Sequence, residues 1–397
     1  MKSGIPSTRD RVLGCIVGGA VGDALGYPVE FNSWRAISSR YGERGITRHA
    51  TDDRGMALIS DDTQMSLFTA AGILLGMTRG AMRGVMGRID YYCRFTYLDW
   101  LHTQEWKFRK EGARVDSWLM NVPGLYSRRA PGNTCLSALD YIESNPGKCV
   151  ENNSCGCGGV MRTAPIAIVC QLHSYARDKF YYCDDIAAGA ARITHRHPLG
   201  FLPSAVLNNL LMQILAGKVN GLNSFWAAVR TAYERLDSVV SEEDSDKTYG
   251  ELWPKDVARM KDIIWQALEL SATDIPDHIA IETIGGGWTG HEALAIAIYS
   301  AVKHYEHFED AIISAVNHSG DSDSTGAICG NIMGCLLGRS AIPSYYTEQL
   351  ELLDVIEEMA EDLYTGCIIS ECEPRDTPEK RRWFEKYCLQ EWQPILQ

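Results

Sequence analysis

The chain has 397 residues, enough for one large domain or two ordinary ones, and a hydrophobic content of 45% excludes a disordered chain. With 51 acidic against 38 basic residues the net charge is −13, which argues against non-specific attraction to nucleic acid or to an anionic membrane surface. The opening MKSGIPSTRDRVLG lacks the apolar core of a signal peptide, and no run reaches the roughly 18 uninterrupted apolar residues of a membrane span, so a soluble, cytoplasmic protein is expected. Thirteen cysteines, an odd number scattered through helical patterns, fit reduced thiols better than a disulfide framework.

The first patterned element is GCIVGGAVGDALG, where Gly14, Gly18, Gly22 and Gly26 recur every four residues. Each interior glycine costs a helix about 1 kcal/mol relative to alanine. That spacing places them on one ridge, a groove into which another backbone can come close. Such ridges occur in membranes, but the segment reads as too short for a span and contains Asp23. Glu30 follows shortly after it.

Next comes SDDTQMSLF, where Asp61 and Asp62 open a helix near 63–76 whose stripe is Met65, Leu67, Phe68, Ala71, Leu74 and Leu75. Asp61 followed by Gln64 is a capping-box pattern, and acids are favoured in a first helical turn. Cys155 and Cys157 form an isolated C-x-C and read as small packing residues rather than as a zinc site. Residues 240–256 are polar and read as a surface loop, and a helix is expected around Ile263–Leu270.

Near the other end, HSGDSDSTG places Asp321 and Asp323 at the mouth of a second glycine helix with Gly326, Gly330, Gly334 and Gly338. The tail after Glu371, with Pro374 and Pro378, reads as an irregular appendage. Helical periodicity dominates and hairpin signals are nearly absent, so the fold class is all-α: a single compact domain over 10–370 with an appendage at 371–397.

Two Asp/Ser clusters at the mouths of core helices carry more acid than capping requires. If the glycine helices pack antiparallel, Asp23 and Glu30 meet Asp321 and Asp323, and carboxylates so gathered need protons or a cation. Carboxylate and hydroxyl oxygens without clustered His or Cys select a hard ion, Mg²⁺ or Mn²⁺, and two clusters suit a dinuclear hydrolase site.

These segments resemble the motifs of the ADP-ribosylglycohydrolases. GCIVGGAVGDALGYPVEF, SDDTQMSL, GCGGVMRTAPIAI, THRHPLG, GGGWTGHEALAIAIY and GDSDSTGAICGNIMG occur in the family's order, from about residue 10 to about residue 340. The resemblance implies an all-α bundle with two Mg²⁺ ions that cleaves the bond joining ADP-ribose to a modified residue. It implies metal ligands at Ser60, Asp61, Asp62, Asp321, Asp323 and Ser324, and catalytic carboxylates at Asp62 and Glu30. The family's glycine-rich loop matches Ser154–Arg162, so substrate contacts are implied for Ser154, Gly156, Cys157, Gly158 and Gly159. His195, in THRHP, and Trp288 join them. Many relatives carry Gly-Asn-Gly where this chain has Gly156-Cys157-Gly158. In RRAPGNT, Asn133 stands where some members have an acid.

The expected function is Mg²⁺-dependent removal of ADP-ribose from mono-ADP-ribosylated protein, with arginine as the linked residue and free ADP-ribose as product. A toxin that installs the modification is a further candidate partner. A binding-only immunity protein is the competing reading. A diphosphate lyase with a DDxxD cluster is disfavoured, because Met65 stands where the last acid would fall.

Overall fold

The computed structural model describes residues 5–85, 87–105, 115–173, 180–236, 253–370 and 377–388. Among them are seventeen α-helices and no β-sheet, only three isolated bridges, as the helical periodicity leads one to expect. In order they are α1 (Thr8–Gly26), α2 (Trp34–Tyr41), α3 (Asp61–Arg83), α4 (Asp90–Glu105), α5 (Asn133–Ser144), α6 (Ala164–Leu172), α7 (Phe180–Arg192), α8 (Pro198–Leu215) and α9 (Leu222–Glu234). Then follow α10 (Trp253–Ser271), α11 (Asp277–Ile284), α12 (Gly290–Lys303), α13 (Phe308–Val316), α14 (Ser322–Leu337), α15 (Ser344–Thr347), α16 (Leu353–Thr365) and α17 (Pro378–Tyr387).

The centre is the antiparallel pair α1 and α14, whose glycine ridges face each other. A Cβ on Gly14 would lie 2.1 Å from the Gly334 carbonyl oxygen, one on Gly18 2.4 Å from that of Gly330, and one on Gly22 2.0 Å from that of Gly326. The backbones are in direct contact, which is why glycine is tolerated at the six interior positions Gly14, Gly18, Gly22, Gly326, Gly330 and Gly334 despite its helix cost. Around this pair pack α3, α8, α12, α13 and α16.

Three segments, Thr8–Val29, Asp61–Arg83 and Pro198–Leu215, have the length and apolar composition of membrane spans, so the first glycine segment is longer than its sequence reading allowed. Each is a core helix, 89%, 78% and 100% buried within the fold. Their hydropathy reflects burial against other helices on all sides.

Two local expectations are corrected. Of the loop expected at 240–256, residues 240–252 lie outside the described residues, and 253–256 begin α10. The C-terminal segment is not wholly irregular. Residues 371–376 and 389–397 lie outside the described residues, but α17 is capped by the Thr377 side chain and buries Trp383 and Tyr387. Trp383 Nε1 donates to Thr78 Oγ1 on α3 at 3.0 Å, and the Tyr387 hydroxyl donates to Asp362 on α16 at 2.6 Å.

Candidate active site

The antiparallel pairing brings the C-terminal end of α1 to the N-terminal end of α14, and the start of α3 lies beside both. Asp23, fully buried in the last turns of α1, organises the junction. Its two oxygens accept the Ser60 N–H at 3.0 and 3.1 Å, and one accepts the Thr63 N–H at 3.2 Å and the Thr63 hydroxyl. One carboxylate thus satisfies two of the free donors at the α3 terminus from outside that helix. Burial first, then the charge of Asp323, pushes Asp23 up to about 7.

The cap of α3 is Ser60, whose Oγ accepts the Asp62 N–H at 3.2 Å. The capping box expected from Gln64 does not form. Gln64 accepts instead from Trp100 Nε1 at 3.1 Å and donates to the Ser127 carbonyl at 3.0 Å, so core partners win over the local motif. Asp321 caps α14, accepting the Ser324 N–H at 3.2 Å.

These termini open onto a cleft of about 320 Å³ lined by Glu30, Asp61, Asp62, Asp321, Asp323 and Ser324 on one side, and by Asn133, Gly156, Cys157, Gly158, His195 and Trp288 on the other. Carboxylate oxygens of Glu30, Asp321 and Asp323 lie within 4.8 Å of one another. Two of the acids have buried oxygens without hydrogen-bond partners, Glu30 Oε2 and Asp62 Oδ1. Burial, then Asp323 and Asp321, pushes Glu30 up to about 10, and Asp61, Asp62 and Asp321 are likewise raised by burial first and by Asp323 second. Converging acids with unpartnered oxygens are a donor set that fits a hard divalent cation.

Ser60 does not reach the cleft surface. It is fully buried behind the acids, its hydroxyl engaged with Asp62. Ser154, partly exposed, and Gly159, buried, are not among the lining residues. The Ser154 hydroxyl pairs with Thr134 at 3.0 Å, and a Cβ on Gly159 would strike the Gly200 carbonyl oxygen at 2.4 Å, so both residues help to fix the loop. Gly156 and Gly158 face His195: added Cβ atoms would lie 3.3 Å from its Nε2 and 3.0 Å from its Cε1. The loop backbone is therefore held bare against the imidazole.

Cys157 is more than a packing residue. Its thiol donates to Asp321 Oδ2 at 2.8 Å, and burial followed by the Asp321 charge raises it well above its ordinary value. The Cys157 N–H donates to the Trp288 carbonyl, which ties the glycine loop to the segment before α12. Trp288 is 43% exposed and stacks on Phe31, with ring centroids 5.2 Å apart. Phe31 escaped the sequence reading. Its signal was weak, an aromatic directly after Glu30; the structure holds it 70% exposed, in a left-handed conformation at φ 66°.

A second overlooked element lies past residue 340. Glu351 and Arg129 form a two-pronged ion pair at 3.0 and 3.2 Å, and the two side chains also bind Ile59 through its N–H and C=O. With the Ala57 and Glu351 main chains paired, this chain segment braces the residues leading into Ser60. A larger cavity of about 580 Å³ lies elsewhere, beside Arg88, Tyr91, Arg94 and Arg196. Its lining is cationic, the wrong sign for a cation centre.

The all-α domain thus sets an acid-lined cleft, suited to a hard cation, beside a glycine loop. The model of the ADP-ribosylglycohydrolase family matches residues 5–371, and the chain belongs to that family. The match runs beyond the residue-340 limit of the motifs, in keeping with the bracing role of Glu351. The family uses divalent metal ions. An ADP-ribosyl-(dinitrogen reductase) glycohydrolase of Rhodospirillum rubrum is 25% identical over 357 residues, 87% of this chain and 92% of its own. An ADP-ribosylarginine hydrolase, Tri1, of Serratia proteamaculans is 39% identical over 64 residues, 16% of this chain and 18% of its own. A solved ADP-ribosylglycohydrolase-related protein complex shares the fold, with a TM-score of 0.57, 21% identity, and coverage of 90% of this chain and 98% of that one.

Proposed function

We propose that this chain is a glycohydrolase dependent on Mg²⁺, or on Mn²⁺ in its place, that removes ADP-ribose from mono-ADP-ribosylated arginine in protein. The observation that carries the reading is the convergence of Glu30, Asp321 and Asp323, with Asp61 and Asp62, on one cleft beside Gly156–Gly158. The cleft volume of about 320 Å³ lies in the range of small-ligand sites.

Asp61, Asp62, Asp321, Asp323 and Glu30 would hold two cations, with Ser324 contributing a hydroxyl and Ser60 supporting Asp62 from behind. When bound, such ions supply a lowered water pKa and fix vicinal sugar hydroxyls. The chain's own residues do the rest. The Gly156 and Cys157 N–H groups are engaged by the Ser154 hydroxyl and the Trp288 carbonyl, so the Gly158 N–H and the neutral imidazole of His195 are the donors this side of the cleft offers to the diphosphate. Trp288 and Phe31 offer apolar faces at the rim, where the linked side chain enters. Asp62, with one oxygen engaged by Ser60 and the other unpartnered, accepts the proton of the attacking water. Glu30, raised by burial first and then by Asp323 and Asp321, is the second candidate for that transfer.

Arginine as the linked residue draws support from the similarity to Tri1, an ADP-ribosylarginine hydrolase, and from the Ser60 and GDSDS pattern. The test is a side-by-side assay of arginine-linked and serine-linked ADP-ribosyl substrates with Mg²⁺. Release from arginine alone is expected. Release from serine alone would overturn the linkage, and release from neither, with ADP-ribose still bound, would favour the binding-only reading.

A further inference from the structure

Arg162 is fully buried, and no carboxylate pairs with it among the described residues. It donates to Thr194 Oγ1 at 2.7 Å, to the Ala190 carbonyl at 3.3 Å, and to Cys135 Sγ at 3.3 Å, and its guanidinium carbon stands 4.4 Å from the Tyr97 ring centre. A buried cation without a counter-ion is costly, so its placement calls for a cause beyond packing.

The proton count along this chain of contacts is decisive. A guanidinium only donates, so the Thr194 oxygen is the acceptor in its bond with Arg162 and keeps its own proton for another partner. Its acceptors within reach are the Ala191 carbonyl at 3.5 Å, His195 Nδ1 at 2.8 Å and the softer, weaker acceptor Cys135 Sγ. The short contact with the imidazole nitrogen takes the proton. His195 Nδ1 then accepts, and in the neutral ring the hydrogen must sit on Nε2. That nitrogen is the one lying against the bare loop at Gly156 and Gly158.

We propose that Arg162 and Thr194 are positioning residues that fix His195 as the neutral Nε2–H tautomer, a hydrogen-bond donor aimed at a phosphate oxygen of ADP-ribose. The inference rests on the ADP-ribose reading of the cleft for its ligand, but not for the tautomer. Burial, with the Arg162 charge added, lowers His195 to about 3, so the ring is neutral at physiological pH. The arrangement puts a donor beside the glycine loop without adding a titrating charge, while Arg162 supplies positive potential from below.

The experiment is ¹⁵N spectroscopy of histidine-labelled full-length protein at pH 7, with His195→Gln to assign the signal. A protonated Nε2 and a bare Nδ1 are expected in the wild type. A protonated Nδ1, or a charged ring, overturns the proposal without reference to any activity. Thr194→Val is expected to mix the tautomers and to weaken binding of free ADP-ribose, measured by calorimetry with Mg²⁺, about tenfold. Thr194→Ser is expected to retain both properties. Unchanged affinity in a folded Thr194→Val protein overturns the positioning role. Absence of ADP-ribose binding to the wild type, with the Nε2–H tautomer intact, overturns the assigned ligand and leaves the relay standing.

Discussion

The carboxylate of Asp23 receives the backbone N–H of Ser60 on both oxygens, at 3.0 and 3.1 Å. An acid of the first glycine helix thus fixes the start of the helix that carries Asp61 and Asp62. The acid cluster is held from behind by another acid, and substitutions there separate structural from chemical effects.

Asp23→Ala leaves the Ser60 and Thr63 donors unpaired in a fully buried setting. A loss of about 3 kcal/mol is expected, at the upper end for a buried unsatisfied group, together with loss of activity. Urea unfolding checks the first and a hydrolysis assay the second. Unchanged stability would show that α3 does not depend on this clamp.

Gly22→Ala would place a methyl 2.0 Å from the Gly326 carbonyl oxygen, and backbone cannot yield as a side chain can. The two central helices must separate, with an expected destabilisation of about 3 kcal/mol by calorimetry. Gly217→Ala is a useful contrast, since nothing lies within 4 Å there and the strain is only that of φ 71°.

The raised acids make cation-free protein sensitive to base. Asp23 at about 7 and Glu30 at about 10 stand above their unfolded values, so the native state binds more protons than the unfolded state. Their contribution is full below about pH 4 and is lost as pH rises through the folded values. The buried histidines His49, His195, His291 and His318 are lowered, and act in the opposite sense only below about 6.5. From pH 7 to about 8 the acids therefore decide, and towards pH 9 the buried thiols, raised by burial, add to the loss in the same sense. Tm measured in EDTA is expected to fall across that window and to recover with Mg²⁺; a flat profile would contradict the acid cluster's strain.

Cys157→Asn replaces a thiol donor to Asp321 by an amide donor of similar reach. Activity within about threefold of wild type is expected, whereas Cys157→Ala, which leaves Asp321 without that donor, is expected to lose about tenfold, the worth of one charge-assisted bond. Steady-state hydrolysis rates with the same ADP-ribosylated protein distinguish the two.

Much of this architecture is legible in residues that repeat or cluster locally. Spacings of four exposed the glycine ridges and the close approach they permit; that the pair runs antiparallel, and so gathers the acids, stood only as a condition in the sequence and is supplied by the fold. What escaped depended on partners distant in sequence. Gln64 sits in a capping-box register, yet bonds to Trp100 and Ser127 because a buried amide is better satisfied in the core. The pairing of Arg129 with Glu351 joins positions 222 residues apart, and no periodicity marks either. Ser60 and Gly159 belong to the right motifs but are buried outside the cleft lining, a distinction that a motif does not encode.

The central claim is that this acid junction is a cation-dependent centre for releasing ADP-ribose. The most direct measurement is release of free ADP-ribose from an arginine-linked ADP-ribosyl protein by wild type and by Asp62→Ala, each with Mg²⁺ and with EDTA, folding being checked by circular dichroism. Release by the wild type with Mg²⁺ alone, and none by folded Asp62→Ala, is predicted. Near-normal release by Asp62→Ala, or by the wild type in EDTA, would contradict the account.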